Sequence, residues 1–346
     1  MKKIIHSVKS SFRWAYAVVG AAVLAAGIQS ASAQSIGVKV VSGDASGIDN
    51  SQANSMLPAD LAGAPPYAQT NWNNFSRYGS GTFMLNNSVD ASYAFNLQWD
   101  AQFTDTTGTR AALGTPDGKL LDQFWSTYGP GAATALANSV YNCSANNKPL
   151  FYISGLEAWY TAEGAEGYSV VLYCNGYANW EPLKCYLESV SGDPLTGTMV
   201  EGSILTPPLY LVDNTAFTGT NYVPVTSTNS GSASYGANYM VFNGFTNDAV
   251  LIRQECLGSW SSAVNGFQFV PIFPTKPTAN TPTSSPSTVY AKEPVTMTET
   301  ATGDQFHPNL WYQWFSDNAS GGPVTNRILN ATNAALTVTP ATNASV

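Results

Sequence analysis

Short runs in which apolar and polar residues alternate recur along most of this chain. The clearest run covers 91–99, where Tyr93, Phe95, Leu97 and Trp99 fall on one face and the residues between them on the other. Because successive side chains of a β-strand point to opposite faces, this pattern predicts strands with one buried face. Comparable runs lie at 36–41, 151–153, 168–173, 183–187, 209–213, 238–242, 249–253 and 266–271. Such short, frequent runs predict an all-β fold, an antiparallel β-sandwich or jelly roll, over 36–271.

One segment, 117–128, has helical spacing instead. Phe124 and Trp125 follow Leu120 and Leu121 at three- to four-residue spacing behind a Pro116-Asp117 start. This spacing predicts one short helix, which we expect to cover an open end of the sandwich.

The first 33 residues have the features of a secretory signal. Four basic residues lie within 1–13, an apolar stretch covers 15–28, and Ala31-Ser32-Ala33 resembles a cleavage site before Gln34. The apolar stretch is about 14 residues long, short of the roughly 20 that span a bilayer, so a membrane anchor is the weaker interpretation. We therefore expect a secreted or cell-surface protein without a membrane span after cleavage.

Removal of this segment leaves a strongly acidic chain. Ten basic residues remain against 22 acidic ones, a formal net charge of −12, and His307 is the only histidine left. Nucleic acids and anionic lipids are poor partners for such a chain. Catalytic sites and metal sites that depend on histidine are nearly excluded.

The four cysteines form an even number in a chain that we expect to be exported, which favours disulfides. Cys174 ends one apolar run and Cys185 lies in the next, so a hairpin would bring them together. We predict the pairs Cys174–Cys185 and Cys143–Cys256. Four buried thiols are the alternative, because a core of this size does not need cross-links.

Prolines divide the chain near its C-terminal end. Five of them, from Pro271 to Pro286, interrupt a Thr- and Ser-rich stretch, which predicts an extended linker over 274–286. The resulting organisation is a signal peptide at 1–33, a main domain at 34–273 and a smaller domain at 287–346.

Several strings carry a resemblance to known modules. The segments 36–41, 167–173, 238–242 and 264–270, with Asn71-Trp72-Asn73-Asn74, resemble landmarks of galactose-binding-like jelly rolls that recur in large exported proteins of Verrucomicrobia and Planctomycetes. The resemblance implies a fold and transfers no catalytic residue. The segments 293–298, 311–315 and 329–338 resemble bacterial immunoglobulin-like repeats, which implies that Trp314 is a core residue. Because the last strands of such a repeat are missing before Val346, we expect the chain to be part of a longer polypeptide.

A loop rich in aromatic and amide side chains is the first candidate site. Tyr177, Asn179, Trp180 and Glu181 lie between two predicted strands, and Trp159 and Tyr160 could join them. Aromatic rings can stack on a pyranose while amides and carboxylates bond its hydroxyls, so the combination suits a polysaccharide or a cell-surface glycan. Alternatively, these aromatics fold back over the edge of the sandwich.

Carboxylates are the basis of two further hypotheses. Glu157, Glu163 and Glu166 surround Trp159-Tyr160 and could serve a glycoside hydrolase, although glycines at 155, 164 and 167 favour a solvated loop. The oxygen-rich set Asp44, Ser46, Asp49, Asn50 and Asp60 could bind Ca²⁺, although it lacks the order of a dedicated calcium loop and ordinary turns explain it equally. We expect no other cofactor or metal.

The string Asn71-Trp72-Asn73-Asn74 has two interpretations. Trp72 either lies in a binding groove among three amides or is buried to fix the loop that contains Pro65-Pro66. Overall the sequence favours a non-catalytic carbohydrate-binding module, ahead of a structural or adhesive segment and a carboxylate-based hydrolase.

Overall fold

The computed structural model describes a defined part of the chain, and the signal-like segment 1–33 lies outside it. The described residues are 34–41, 47–52, 54–76, 78–100, 103–104, 115–121, 125–128, 150–175, 182–212, 217, 221–257, 261–274, 278–279, 283–285, 293–299, 301–302, 315–316, 326–328 and 334–339. The chain divides into two compact units, one of which is Gln29–Phe273, while Pro274–Val346 belongs to the other.

The larger unit is built almost entirely of β-strands. Its elements are β1 (Ile36–Val40), β2 (Asn73–Phe75), β3 (Tyr78–Asn86), β4 (Ser92–Asp100), β5 (Phe103–Thr104), α1 (Pro116–Leu120), β6 (Trp125–Tyr128), β7 (Leu150–Ser154), α2 (Leu156–Ala162), β8 (Gly167–Tyr173), β9 (Leu183–Ser191), β10 (Val200–Ile204), β11 (Leu209–Val212), β12 (Ser234–Tyr235), β13 (Tyr239–Phe245), β14 (Ala249–Cys256), β15 (Ser261–Val264) and β16 (Gly266–Ile272). The prediction of an all-β fold is confirmed.

Two sheets form the body of this unit. The smaller has the order β13-β8-β16-β1-β2, and the larger has the order β12-β11-β9-β14-β7-β4-β3 with β10 paired to β9. The pairs β1–β2 and β11–β12 are parallel, and the other described pairs of these two sheets are antiparallel. The antiparallel prediction is therefore right for most of the fold and wrong for those two pairs.

The core lies where side chains from the two sheets meet. Phe267 of β16 and Phe151 of β7 make an edge-to-face contact with ring centroids 4.4 Å apart. On β4, Phe95, Leu97 and Trp99 are buried, which confirms the face that the alternating pattern assigns to them. Burial of each such side chain contributes about 1.5–3 kcal/mol, so the shared core dominates the stability of this unit.

The prediction of a helix over 117–128 is only partly correct. Helix α1 ends at Leu120, and Trp125–Tyr128 is strand β6, paired with β15 through Trp125↔Val264. Thr115 caps α1 by accepting from Gly118 N at 3.1 Å. Trp125, which the pattern assigned to the helix, therefore belongs to a strand. Within the described residues, neither helix has the length and hydropathy needed to cross a membrane.

The smaller unit contains short paired strands. They are β17 (Thr278–Ala279), β18 (Thr283–Ser285), β19 (Val295–Thr298), β20 (Ala301–Thr302), β21 (Phe315–Ser316), β22 (Asn326–Arg327) and β23 (Ala335–Val338). β17 pairs with β20 and β18 pairs with β19, so parts of the stretch expected to be a linker are strands of this unit. Trp314 lies outside the described residues.

Candidate functional site

The aromatic residues singled out at 159 and 160 are not on the surface. They belong to α2, where Trp159 is fully buried and Tyr160 nearly so. The Trp159 ring packs against Tyr168 of β8 and Phe269 of β16, with centroid distances of 6.4 and 6.5 Å. The expectation that Trp159 and Tyr160 contact a ligand is wrong, because a helix replaces the expected loop. Tyr177, Asn179, Trp180 and Glu181 lie outside the described residues.

One of the three glutamates near α2, Glu163, is held by side chains of the protein. Glu163 Oε1 accepts hydrogen bonds from Asn87 Nδ2 at 2.7 Å and from the Tyr93 hydroxyl at 2.5 Å. Burial, together with the hydrogen bond to the Glu163 carboxylate and its charge, raises the pKa of Tyr93 to about 12. Glu163 therefore joins α2 to the larger sheet.

The described members of the calcium hypothesis have protein partners of their own. Asp49 accepts from the Ser51 hydroxyl and from Gln52 Nε2, and these bonds lower its pKa, with the Ser51 side chain contributing most. Asp60 pairs with Lys119 Nζ at 2.8 Å. Asp44 and Ser46 lie outside the described residues. In the part of the chain that the structure describes, no three His, Cys, Asp or Glu residues are grouped to hold a metal ion.

The two described core cysteines are not joined to each other. Cys174 and Cys185 are both fully buried thiols in the core between the sheets. A hairpin was the reason to pair them, but β8 and β9 belong to different sheets, so that reason fails. The predicted Cys174–Cys185 disulfide is therefore absent. Cys143 lies outside the described residues, as does the side chain of Cys256.

A groove at the junction of the two sheets is the best candidate site. It has a volume of 430 Å³, within the roughly 300–1,000 Å³ of small-molecule sites. Its polar lining residues are Asn50, Asn71, Asn73, Asn86 and Asp90. Its apolar lining residues are Ile48, Met56, Leu57, Pro58, Trp72 and Met84. We call it the asparagine groove.

The walls of the asparagine groove come from three separate segments. They are the loop before β2, the start of β2 and the end of β3 with the turn that follows it. Trp72 is 5% exposed and its Nε1 donates to the Gln69 carbonyl at 3.1 Å. Its burial, in one apolar cluster with Ala62 and Ala64, agrees with the interpretation that it fixes the preceding loop. Two of the three amides in that string, those of Asn71 and Asn73, line the groove.

Three asparagines in the groove are each held by one end of the side-chain amide. Asn50 Oδ1 accepts from Asn74 Nδ2 at 2.7 Å, and Asn86 Oδ1 accepts from the Ser92 hydroxyl. Asn71 is held by its other end, since its Nδ2 donates to the Ser88 carbonyl at 3.2 Å. Among the described residues, no partner occupies the Nδ2 donors of Asn50 and Asn86 or the Asn71 Oδ1 acceptor, and the side chains that carry them are already oriented.

Apolar side chains beside these amides are open to solvent. Leu57 is 58% exposed and Met84 is 57% exposed, although both are large hydrophobic residues. Asp90 is exposed and is the one charged residue in the described lining of the groove. The groove thus offers donors, acceptors and aliphatic surface, with negative charge at one point.

A second pocket, of 360 Å³, contains two carboxylates. Asp248 Oδ1 accepts from Glu157 N at 3.0 Å at the start of α2, and Asp193 Oδ1 accepts from Leu195 N at 2.8 Å in the turn after β9. Burial raises the pKa of Tyr152 between them, and the charges of Asp193 and Asp248 add to this. Each carboxylate has a local role in holding a turn, so the pocket is the weaker candidate.

Sequence reasoning did not assign the donors and aliphatic residues of the asparagine groove as a site. The one available signal was the string at 71–74, whose functional interpretation placed amides around a groove. Comparisons with protein-family models, with curated proteins and with solved structures found no match.

Proposed function

We propose that this protein is a non-catalytic, exported module that binds a saccharide in the asparagine groove. The observation that carries the proposal is the set of three anchored amides, Asn50, Asn71 and Asn86, which leaves two donors and one acceptor beside exposed aliphatic side chains. A sugar hydroxyl both donates and accepts, so a mixed set of this kind is complementary to a row of hydroxyls.

Preorganisation supports binding of a weakly interacting ligand. Ordering a flexible side chain at an interface costs about 0.5–1.5 kcal/mol, and here the protein's own hydrogen bonds have already restricted the amides. Hydrolysis has less support at this site, because a glycosidase uses two carboxylates and the described lining of the groove contains only Asp90.

The proposal also includes the finer architecture. The larger unit is a jelly roll of the galactose-binding-like type and the smaller unit is immunoglobulin-like, both carried by an exported protein. Two facing sheets in the larger unit, the short paired strands after Pro274 and the signal-like segment 1–33 support this part.

The test uses isosteric substitutions that keep each anchor and change only the free end of an amide. Asn86→Asp keeps the oxygen that accepts from Ser92 and replaces the free Nδ2 donor by an acceptor. The matched control is Asn243→Asp, because Asn243 is exposed, accepts from the Ser169 hydroxyl at 3.0 Å and does not line the groove.

The full chain is first screened against a broad glycan array and the ligands it selects are then titrated by calorimetry. We expect Asn86→Asp to weaken binding about tenfold or more, the scale of one lost hydrogen bond of about 1–1.5 kcal/mol, with Asn243→Asp unchanged. Absence of binding to every glycan, or equal loss in both variants, would overturn the proposal in favour of a structural or adhesive segment.

A further inference from the structure

The asparagine groove lacks the feature that most directly recognises a sugar ring. Its one aromatic side chain among the described lining residues, Trp72, is 5% exposed and is packed on Tyr173 with a centroid distance of 5.8 Å. Stacking on the face of a pyranose requires an exposed ring. Recognition in this groove must therefore act on substituents of the sugar.

The hydrogen-bonding and aliphatic groups of the groove are complementary to one sugar substituent, the acetamido group. An acetamido group has a carbonyl acceptor, an N–H donor and a methyl group. The free Nδ2 of Asn50 or Asn86 can donate to such a carbonyl, and Asn71 Oδ1 can accept from such an N–H. Leu57 and Met84 provide exposed aliphatic surface for the methyl group.

The conformation at Asn71 supports its role as a fixed acceptor. Its φ of 54° lies in the left-handed region, which asparagine tolerates better than most residues. Its backbone N–H donates to the Pro58 carbonyl at 3.1 Å, so both backbone and side chain are tied to the walls of the groove. An acceptor held in this way selects a donor at a defined position.

The charge of the groove further limits the class of sugar that can bind. Asp90 adds a negative charge, and the described lining contains no lysine, arginine or histidine to balance a ligand carboxylate. A buried or half-buried carboxylate without a cation is unfavourable, and the chain as a whole is acidic. Uronic acids and other carboxylated sugars are therefore poor ligands.

We infer that the asparagine groove takes an uncharged, N-acetylated hexosamine. This inference rests on the proposed function, because it names the ligand class of the same groove. The acetamido carbonyl and N–H pair with the asparagine amides, and its methyl group lies against Leu57 and Met84.

The experiment titrates the full chain with four tetrasaccharides, of which the first three differ only in the substituent at C2 and the fourth carries carboxylates. They are the β-1,4-linked N-acetylglucosamine tetramer, the corresponding glucose tetramer, the fully deacetylated glucosamine tetramer and a galacturonic acid tetramer. We expect the acetylated tetramer to bind at least about tenfold more tightly than the glucose tetramer, and the galacturonic acid tetramer to bind most weakly. Saturation-transfer NMR should show the strongest transfer at the acetyl methyl protons.

A matched pair of substitutions tests the position of the methyl group. Leu57→Ser alters the groove, whereas Leu61→Ser alters a leucine of nearly equal exposure, 57%, in the same loop but outside the lining. Leu57→Ser should weaken binding of the acetylated tetramer about tenfold and change binding of the glucose tetramer little. Leu61→Ser should change neither.

The outcomes separate this inference from the proposed function. Equal affinity for the acetylated and glucose tetramers overturns the acetamido assignment and leaves saccharide binding in place. Tighter binding of the deacetylated tetramer also overturns it, because recognition then follows the positive charge of the ligand. If none of the four binds, the inference fails, and the glycan array then decides separately whether the protein binds any saccharide.

Discussion

Asn73 and Asn86 exchange two hydrogen bonds where the two sheets meet. Asn86 N donates to Asn73 Oδ1 at 3.0 Å, and Asn73 Nδ2 donates back to the Asn86 carbonyl at 2.9 Å. The side-chain amide of Asn73 thus continues the ladder at the edge of β3 in place of a backbone. Asn73 Nδ2 also donates to the Gly37 carbonyl of β1 at 2.9 Å. One buried amide therefore fixes one wall of the groove to both sheets.

We predict that Asn73→Ala lowers the free energy of unfolding by about 2–3 kcal/mol. The substitution removes three hydrogen bonds and leaves buried backbone groups without partners, each of which costs about 1 kcal/mol or more. Urea denaturation followed by tryptophan fluorescence measures the change. Asn229→Ala, which removes one exposed bond to Gly231 N, is the control and should cost less than about 1 kcal/mol. Equal effects of the two substitutions would contradict the role of Asn73.

Substitutions at Trp159 should affect stability and leave glycan binding unchanged. Trp159 is fully buried, and its Nε1 has no hydrogen-bond partner among the described residues, so Trp159→Phe loses packing volume and no hydrogen bond. We expect a loss of about 1–2 kcal/mol for Phe and about 3–5 kcal/mol for Ala. Thermal unfolding gives the stabilities, and titration with the best glycan gives the affinity. A Phe variant of normal stability with weakened binding would return Trp159 to the site.

The strands were predictable from the sequence because their signal is local. In β4, the alternation from Tyr93 to Trp99 is enough to assign both the strand and its buried face. Helix α2 was missed because seven residues between Gly155 and Glu163 are too few to show helical periodicity. What buries Trp159 is Tyr168 and Phe269, which are brought near by β8 and β16.

The groove could not be derived from local sequence patterns, because its residues too are brought together only by the tertiary structure. Asn50, Asn71 and Asn86 are far apart in sequence and come together only once β1–β2 and β3 are joined. What each asparagine can offer a ligand depends on which end of its amide the protein already bonds. The bonding partners, Asn74, Ser88 and Ser92, are set by the tertiary structure. The cysteine pairing failed similarly, since chain neighbours β8 and β9 separate into different sheets.

Removal of the buried Arg253 should be strongly destabilising. The residue is 2% exposed, its Nε donates to Glu188 Oε2 at 3.0 Å, and its Nη2 pairs with Glu201. Removing one partner of a buried pair leaves an uncompensated charge, so Arg253→Ala should cost about 3–5 kcal/mol.

Two variants make this expectation specific. Lys184→Ala breaks the more exposed pair with Glu255 and should cost about 1 kcal/mol or less. The double substitution Arg253→Met with Glu188→Leu should recover part of the loss, since the buried pair is then replaced by apolar side chains and only the exposed Glu201 loses its partner. Chemical denaturation of all three variants tests the order, and a larger loss for Lys184→Ala than for Arg253→Ala would refute it.

The core thiols should be inert in the folded protein. Because Cys174 and Cys185 are fully buried, an alkylating reagent can reach them only after unfolding. The test alkylates the native protein without reductant, removes the reagent, adds a second isotopic form in denaturant and maps both labels by mass spectrometry. We expect the second label alone on both residues. Labelling of either residue in the native protein, or of neither until a reductant is added, would show that the core differs from this description.

Buried tyrosines should make the protein unstable at alkaline pH. Burial raises the pKa of Tyr168 and of Tyr173 well above the ordinary 10.0, and the pKa of Tyr93 rises to about 12. Above pH 10 the unfolded chain loses these protons while the folded chain keeps them, so the folded state is progressively disfavoured as pH rises. The stabilisation from these groups is therefore complete below pH 10 and is lost through about pH 12 for Tyr93.

Urea midpoints measured from about pH 8 upwards should fall only above about pH 10, and Tyr93→Phe should flatten that fall while the exposed control Tyr235→Phe should not. A midpoint that stays constant to about pH 12, or an equal effect of the two substitutions, would show that ionisation of the buried hydroxyls does not limit stability.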